Sequence, residues 1–200
     1  TDYETYLKEM FYEPLGAYTL TYNAHKYFEP ARIIPTENGN FFRMSLMQGW
    51  VHDEGASMMG GVSGNAGLFG SANDLAKLMQ MYMEMGKYGG KRYISEAALK
   101  EFTAYQYENA GNRRGLGFDK PVPGNDTLPM NKAYPAPSVS RSSFGHSGYT
   151  GTFAWADPEN DLLFIFFSNR VHPTRDNRPT SHQIIYDLYY SRRDPESHSE

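Results

Sequence analysis

The sequence predicts an α/β (α+β) chain in which an antiparallel sheet is flanked by packed helices, and three observations carry that prediction. An apolar stripe at helical spacing runs through residues 72–85. Two β-rich runs, 143–156 and 162–169, are joined by Asp157-Pro158-Glu159-Asn160, where Pro and Asn supply turn geometry for an antiparallel hairpin. The second run, Leu162 to Phe167, is apolar on both faces, so the sheet is expected to be covered on both sides.

Tyr3, Tyr6, Leu7, Met10 and Phe11 recur at spacings of three and four, with Asp2 placed to cap and Pro14 and Gly16 to stop a short amphipathic helix. From 17 to 70 no period is sustained, which predicts long ordered loops with short helical turns; a stretch that long usually carries function. Ser71 precedes the most secure helix, where Leu75, Leu78, Met79, Tyr82 and Met83 form the stripe, Asp74 follows the cap and Gly86 ends the run. Its methionines, Met79, Met81, Met83 and Met85, read as gap-filling core. Ser95 opens another helix through Phe102, Gly115 to Phe118 reads as a short strand, and 121–137 reads as a Pro/Gly/Asn-rich loop. A last helix is expected at about 180–192. The whole reads as one domain, 1–193, with a polar tail at 194–200.

The 200 residues carry a net charge of −4 and no Lys/Arg run longer than two, which argues against nucleic acid as a partner. Hydrophobic residues at 40% and charged residues at 21% give a globular balance. With no Cys there are no thiol nucleophiles, disulfides or Cys-based metal sites, and no apolar run approaches the roughly 20 residues of a membrane span. The chain begins without the basic and apolar regions of a signal peptide, as a fragment or mature piece would.

Phe144-Gly-His-Ser-Gly-Tyr-Thr-Gly-Thr152, then Trp155-Ala-Asp-Pro-Glu-Asn-Asp161 and Phe166-Phe-Ser-Asn-Arg170, resemble the third-motif strand and the next strand of serine β-lactamase-like and penicillin-binding-protein hydrolases. Three more segments resemble that superfamily in the same order. They are Phe11-Tyr-Glu-Pro-Leu-Gly16, then Val51-His-Asp-Glu54 with Gly60-Gly-Val-Ser-Gly-Asn-Ala-Gly-Leu-Phe69, then Ser71-Ala-Asn-Asp-Leu-Ala76. The third motif is Lys-Thr-Gly there, or His-x-Gly in esterase-like and class C-like branches, and here it would be His146-Ser147-Gly148.

Acyl transfer needs a cationic or hydrogen-bonding group beside the nucleophile, room for substrate along the strand, and an N–H aimed at the developing oxyanion. The resemblance assigns these to His146 as the polar group, Ser147 as a hydroxyl donor, Gly148 as clearance and the Tyr149 N–H as oxyanion donor. Such a donor contributes roughly 3 to 4 kcal/mol to transition-state stabilisation. Asn65 would line the cleft, the bland reading being a turn Asn at positive φ. Arg170, in a cluster with His172 and Arg175, would meet a substrate carboxylate, unless the cluster is only a solvated loop.

The superfamily's nucleophile sits in Ser-x-x-Lys, and no Ser here has Lys three residues on. Its Tyr-x-Asn or Tyr-x-Ser motif would lie upstream of residue 1, and Tyr107-Glu108-Asn109 matches only as text. The chain therefore reads as the C-terminal part of a serine acyl-transfer hydrolase of a β-lactam, peptidoglycan stem peptide or ester, inactive alone. Its location would be the bacterial envelope, in the periplasm. The alternative is a carbohydrate- or peptide-binding module of degenerate fold, in which Tyr18, Phe41, Phe42 and Trp50 would be exposed rather than buried. Self-association through an exposed sheet edge is expected of such a fragment.

The rival motifs fail on detail. Gly145-His-Ser-Gly148 echoes trypsin-like proteases but lacks their two-barrel setting, and Gly61-Val-Ser-Gly64 has Asn65 where a nucleophile elbow needs Gly. The six His show no zinc spacing, so neither metal nor cofactor is expected, and His52-Asp53-Glu54 reads as loop hydrogen bonding.

Overall fold

Asp2 accepts the Thr5 N–H at 2.9 Å and so starts the first helix, α1 (Tyr3–Leu7), which continues as a wider π-helical turn over Lys8–Tyr12. The computed structural model describes residues 1–176; the helix expected at about 180–192 and the tail lie outside the described residues. Among them the chain forms two compact units, 1–78 with 148–152 and 167–176, and 79–147 with 153–166.

In the first unit the stretch from 17 to 70 has more ladder than its sequence announced. Strand β1 (Thr21–Tyr22) pairs antiparallel with β4 (Leu68–Phe69), and β2 (Glu37–Asn38) with β3 (Leu46–Met47). Two-residue strands leave no alternation for a sequence to display. The expected helical turns are there: 3-10 turns at Ala24–Lys26 and Pro30–Arg32, and α2 (Glu54–Met58), capped by Asp53, whose Oδ1 accepts from the Ala56 N–H at 2.7 Å. The glycines of 60–67 fold onto Asn23, whose Nδ2 donates to the Gly60 oxygen at 3.0 Å. A Cβ on Gly61 would stand 2.3 Å from the Asn23 Oδ1, and one on Gly67, at φ +113°, would collide with the Gly61 oxygen.

Helix α3 (Ala72–Met83) starts as its sequence predicts, Ser71 Oγ accepting the Asp74 N–H at 3.2 Å. The Asp74 carboxylate turns away from the cap and takes the Thr19 N–H at 2.8 Å, the Thr19 hydroxyl at 2.7 Å and Lys77 Nζ at 2.7 Å. Burial alone would raise its pKa, but those donors prevail and hold it below the usual carboxylate range.

In the second unit Met79, Met81 and Met83 are buried, as gap-filling core. Gly86, at φ +87°, ends α3 by donating to the Met81 oxygen at 2.9 Å. A hairpin of β5 (Lys87–Tyr88) and β6 (Lys91–Arg92) follows, then α4 (Glu96–Thr103), capped by Ser95. The strand expected at Gly115–Phe118 is a turn instead: the Gly115 N–H donates to the Phe118 oxygen at 2.9 Å, and the residues on either side, Arg114 and Asp119, form the bridge.

The run 143–156 is not one strand. It breaks at the glycine-flanked turn 148–151 into β7 (Phe144–Ser147) and β8 (Thr152–Asp157), which pair antiparallel with Gly145 opposite Trp155 and His146 opposite Ala154. With β9 (Leu162–Phe167) they form a three-stranded sheet in the order β7-β8-β9. The short 158–161 connection leaves only an antiparallel β8–β9 pairing, as the expected hairpin requires.

Phe153 and Trp155, two apart on one face, stack at 5.7 Å and form the core with Ala136 and Val139; Leu162, Phe164 and Phe166 pack against them. Burying rings of this size stabilises by about 2 to 3 kcal/mol each, enough to set the register of β8. The cover expected on both faces of β9 is not found among the described residues, where its residues are half-buried and Phe167 is exposed.

Candidate active site

His146 and Ser147 end strand β7. The strand is held there by Phe144, fully buried, and by a double backbone bridge between Gly145 and Asp119, 2.7 and 3.0 Å. Asp119 is 1% exposed and its carboxylate is surrounded by donors. The Tyr134 hydroxyl donates to Oδ2 at 3.0 Å, Arg113 lies 3.3 Å away, and Arg114 Nε stands 2.8 Å from Oδ1. Burial first, and then the Asp119 charge, push the Tyr134 hydroxyl well above its ordinary pKa, so it remains a donor.

Arg114 reaches onward: its Nη1 lies 2.9 Å from His146 Nε2, while His146 Nδ1 lies 2.8 Å from the Ser147 oxygen. Asn112, Arg113 and Arg114, with Gly111, Val122 and Pro123, line an open concavity of about 560 Å³. Neither Arg114 nor Asp119 was singled out from the sequence. Two adjacent arginines before Gly-Leu-Gly-Phe-Asp were the available signal, but a pair of charges in a glycine-rich loop ordinarily reads as solvated surface.

Gly148, Tyr149, Arg170 and Asn65 belong to the first unit. Gly148 donates to the Thr152 oxygen at 2.7 Å, and a Cβ on it would fall 2.2 Å from the Thr152 Oγ1, so a larger residue there would have to displace that hydroxyl whatever substrate requires. Tyr149 is 59% exposed, and among the described residues nothing accepts from its backbone N–H. Arg170 lies over its ring at 5.0 Å and donates to its carbonyl oxygen, so these two predicted site residues meet. Asn65 is exposed, accepts the Ser63 hydroxyl at 2.6 Å and is not at positive φ, contrary to the bland reading of it.

The basic cluster after β9 does not act as a unit. Arg175 is committed to Glu37, through Nε at 2.8 Å and Nη2 at 2.7 Å, and to Glu54 at 3.2 Å. Glu37 is 1% exposed and also meets His52 Nε2 at 2.8 Å. The Arg175 guanidinium, against the cost of burial, and then His52 hold its carboxyl down at about 2. His52-Asp53-Glu54 thus does hold loops, as expected, and the His52 ring also stacks on Tyr149 with centroids 5.6 Å apart. Nothing in the sequence marked Glu37.

Tyr107-Glu108-Asn109 opens a 3-10 turn, Glu108–Ala110, with Glu108 paired to Arg141 at 2.6 Å. Tyr18, Phe41, Phe42 and Trp50 are exposed, between 47% and 78%, where the hydrolase reading called for burial. Trp50 is also stacked on His25 at 3.4 Å. Among the described residues no His/Asp/Glu cluster could hold a metal ion, and no helix is long and apolar enough to cross a membrane.

The Beta-lactamase family model matches residues 1–187, and the chain belongs to that family. It is 38% identical over 181 residues to the "Putative D-alanyl-D-alanine carboxypeptidase" of Escherichia coli K12 and 35% identical to the protein of that name in Salmonella enteritidis PT4. Each match covers 84% of this chain, which spans 40% of the relative's length. A penicillin-binding protein homologue from Caulobacter crescentus superposes with a TM-score of 0.56 at 24% identity, over 94% of this chain and 52% of that one. A β-lactamase from Mycobacterium bovis gives 0.55 at 19% identity, over 94% and 56%. These structures share the β-lactamase/transpeptidase fold with the chain.

Proposed function

We propose that these residues form the third-motif part of a serine acyl-transfer hydrolase whose substrates are peptidoglycan stem peptides, with β-lactams or small esters as further acyl donors. The observation that carries the reading is the family match over residues 1–187, with His146-Ser147-Gly148 falling where a sheet strand ends. The names of the curated relatives favour the stem peptide and, with it, a place in the bacterial envelope, in the periplasm.

In this reading His146 and Ser147 face the reacting carbonyl, the Tyr149 N–H donates to the oxyanion, Gly148 leaves room, and Asn65 and Arg170 hold the substrate, Arg170 by its carboxylate. Nucleophilic attack needs a Ser-x-x-Lys that the 200 residues do not contain, so they are expected to be inactive by themselves.

The test is labelling by a fluorescent penicillin, read as a covalent mass shift. The 200-residue chain should gain no adduct. A longer product of the same gene carrying Ser-x-x-Lys in frame should be labelled, and H146A in it should slow labelling by about 100-fold or more, the scale of displacing one polar transition-state contact. Absence of that motif from the gene, or an unlabelled longer product, overturns the reading.

A further inference from the structure

We propose that Arg114 and His146 hold each other in place, and that the guanidinium of this pair, rather than the imidazole, is the cationic element of the third motif. The inference rests on the reading of His146 as a site residue.

The anchor is Asp119. Its backbone is bonded in both directions to Gly145, the residue before His146, so its place relative to β7 is fixed by the strand. Its buried carboxylate takes the Tyr134 hydroxyl and stands 2.8 Å from Arg114 Nε, an ion pair without the alignment of a full hydrogen bond. From there the guanidinium places Nη1 2.9 Å from His146 Nε2.

A guanidinium has five donors and no acceptor, so His146 Nε2 must be the acceptor of that bond. The ring proton is then on Nδ1, which donates to the Ser147 oxygen at 2.8 Å. With both nitrogens engaged, the ring can neither flip nor exchange tautomers without breaking a bond. The Nε2 lone pair is occupied, so His146 in this arrangement is no general base. The N–H groups and the positive charge at this strand end belong to Arg114, on the wall of the concavity, and His146 fixes where that charge stands. A branch with His in place of the motif's Lys would thereby retain a cation.

The experiment is long-range proton–nitrogen correlation of the histidine rings in the ¹⁵N-labelled 200-residue chain at mildly alkaline pH, with H146Q identifying the ring. An unconstrained imidazole in water favours the proton on Nε2, so the expected Nδ1–H pattern is distinctive. R114M should lose it, R114K, which keeps a donor, should retain it, and both should leave the backbone amide spectrum in place. An Nε2–H pattern in the parent chain, or an Nδ1–H pattern unchanged in R114M, overturns the proposal. Because the readout needs no turnover, it separates from the functional reading: an unlabelled longer product with the Nδ1–H pattern intact sinks only the latter.

Discussion

Glu37 shows how much a single buried carboxylate can organise. Two contacts from the Arg175 side chain, one from its backbone N–H and one from His52 replace the water it gave up. Its carboxyl sits at about 2 against an ordinary 4.5, so the folded state binds this proton less readily than the unfolded chain. The stabilisation is therefore complete above about pH 4.5 and fades as pH falls towards 2, an effect of about 3 kcal/mol. E37Q should lose stability of that order at neutral pH and flatten the acid limb, checked by urea titrations across pH. An acid limb as steep as in the parent would show that another group carries it. At this scale the sequence was only half legible. His146, Gly148, Tyr149 and Arg170 stood out because a run of motif residues frames them. Glu37, Arg114 and Asp119 act through partners up to 138 positions away in sequence, and no local pattern records such a pairing.

Elements were far more legible where periodicity and caps coincide. Helices α3 and α4 begin where Ser71 and Ser95 say they should, because an N-cap is a local contract between a hydroxyl and an N–H three residues on. The two-residue ladders were invisible, and Gly115–Phe118 was misread because glycine next to apolar residues suits a turn as well as a strand. Removing a cap and removing a tether should differ. S71A should cost about 1 kcal/mol, whereas D74A, which strands the Thr19 N–H and Lys77, should cost about 2 to 3 kcal/mol, both read by thermal or urea melts. Equal losses would mean that the tether adds nothing. Strand β7 tolerates less: a Cβ at Gly145 would stand 2.2 Å from the Ala154 oxygen and 2.4 Å from the Trp155 ring. G145A should lose 3 kcal/mol or more, on the order of the worst core overpacking, or fail to accumulate folded, which a soluble chain with parental stability would contradict.

On the scale of the whole chain, family and fold class were readable because four motif segments occur in order, a signal spread over most of the sequence. The burial of the loop aromatics was not readable, because exposure depends on what lies opposite a ring and not on the ring. Strand β9 stands at the sheet's edge among the described residues and is apolar throughout, and Ile34, Phe41 and Met44 are exposed. The isolated chain is therefore expected to self-associate at high concentration, giving a scattering mass above 22.7 kDa; a clean monomer would contradict this. The methionines described above as core filler have a counterpart in redox chemistry. Met79, Met81 and Met83 are shielded, whereas Met44, Met58 and Met59 are 69–75% exposed. Peroxide should convert the second group to sulfoxides long before it reaches the first, turning apolar surface polar while α3 keeps its packing. Equal sulfoxide formation in both groups, read by peptide mass spectrometry, would contradict that order.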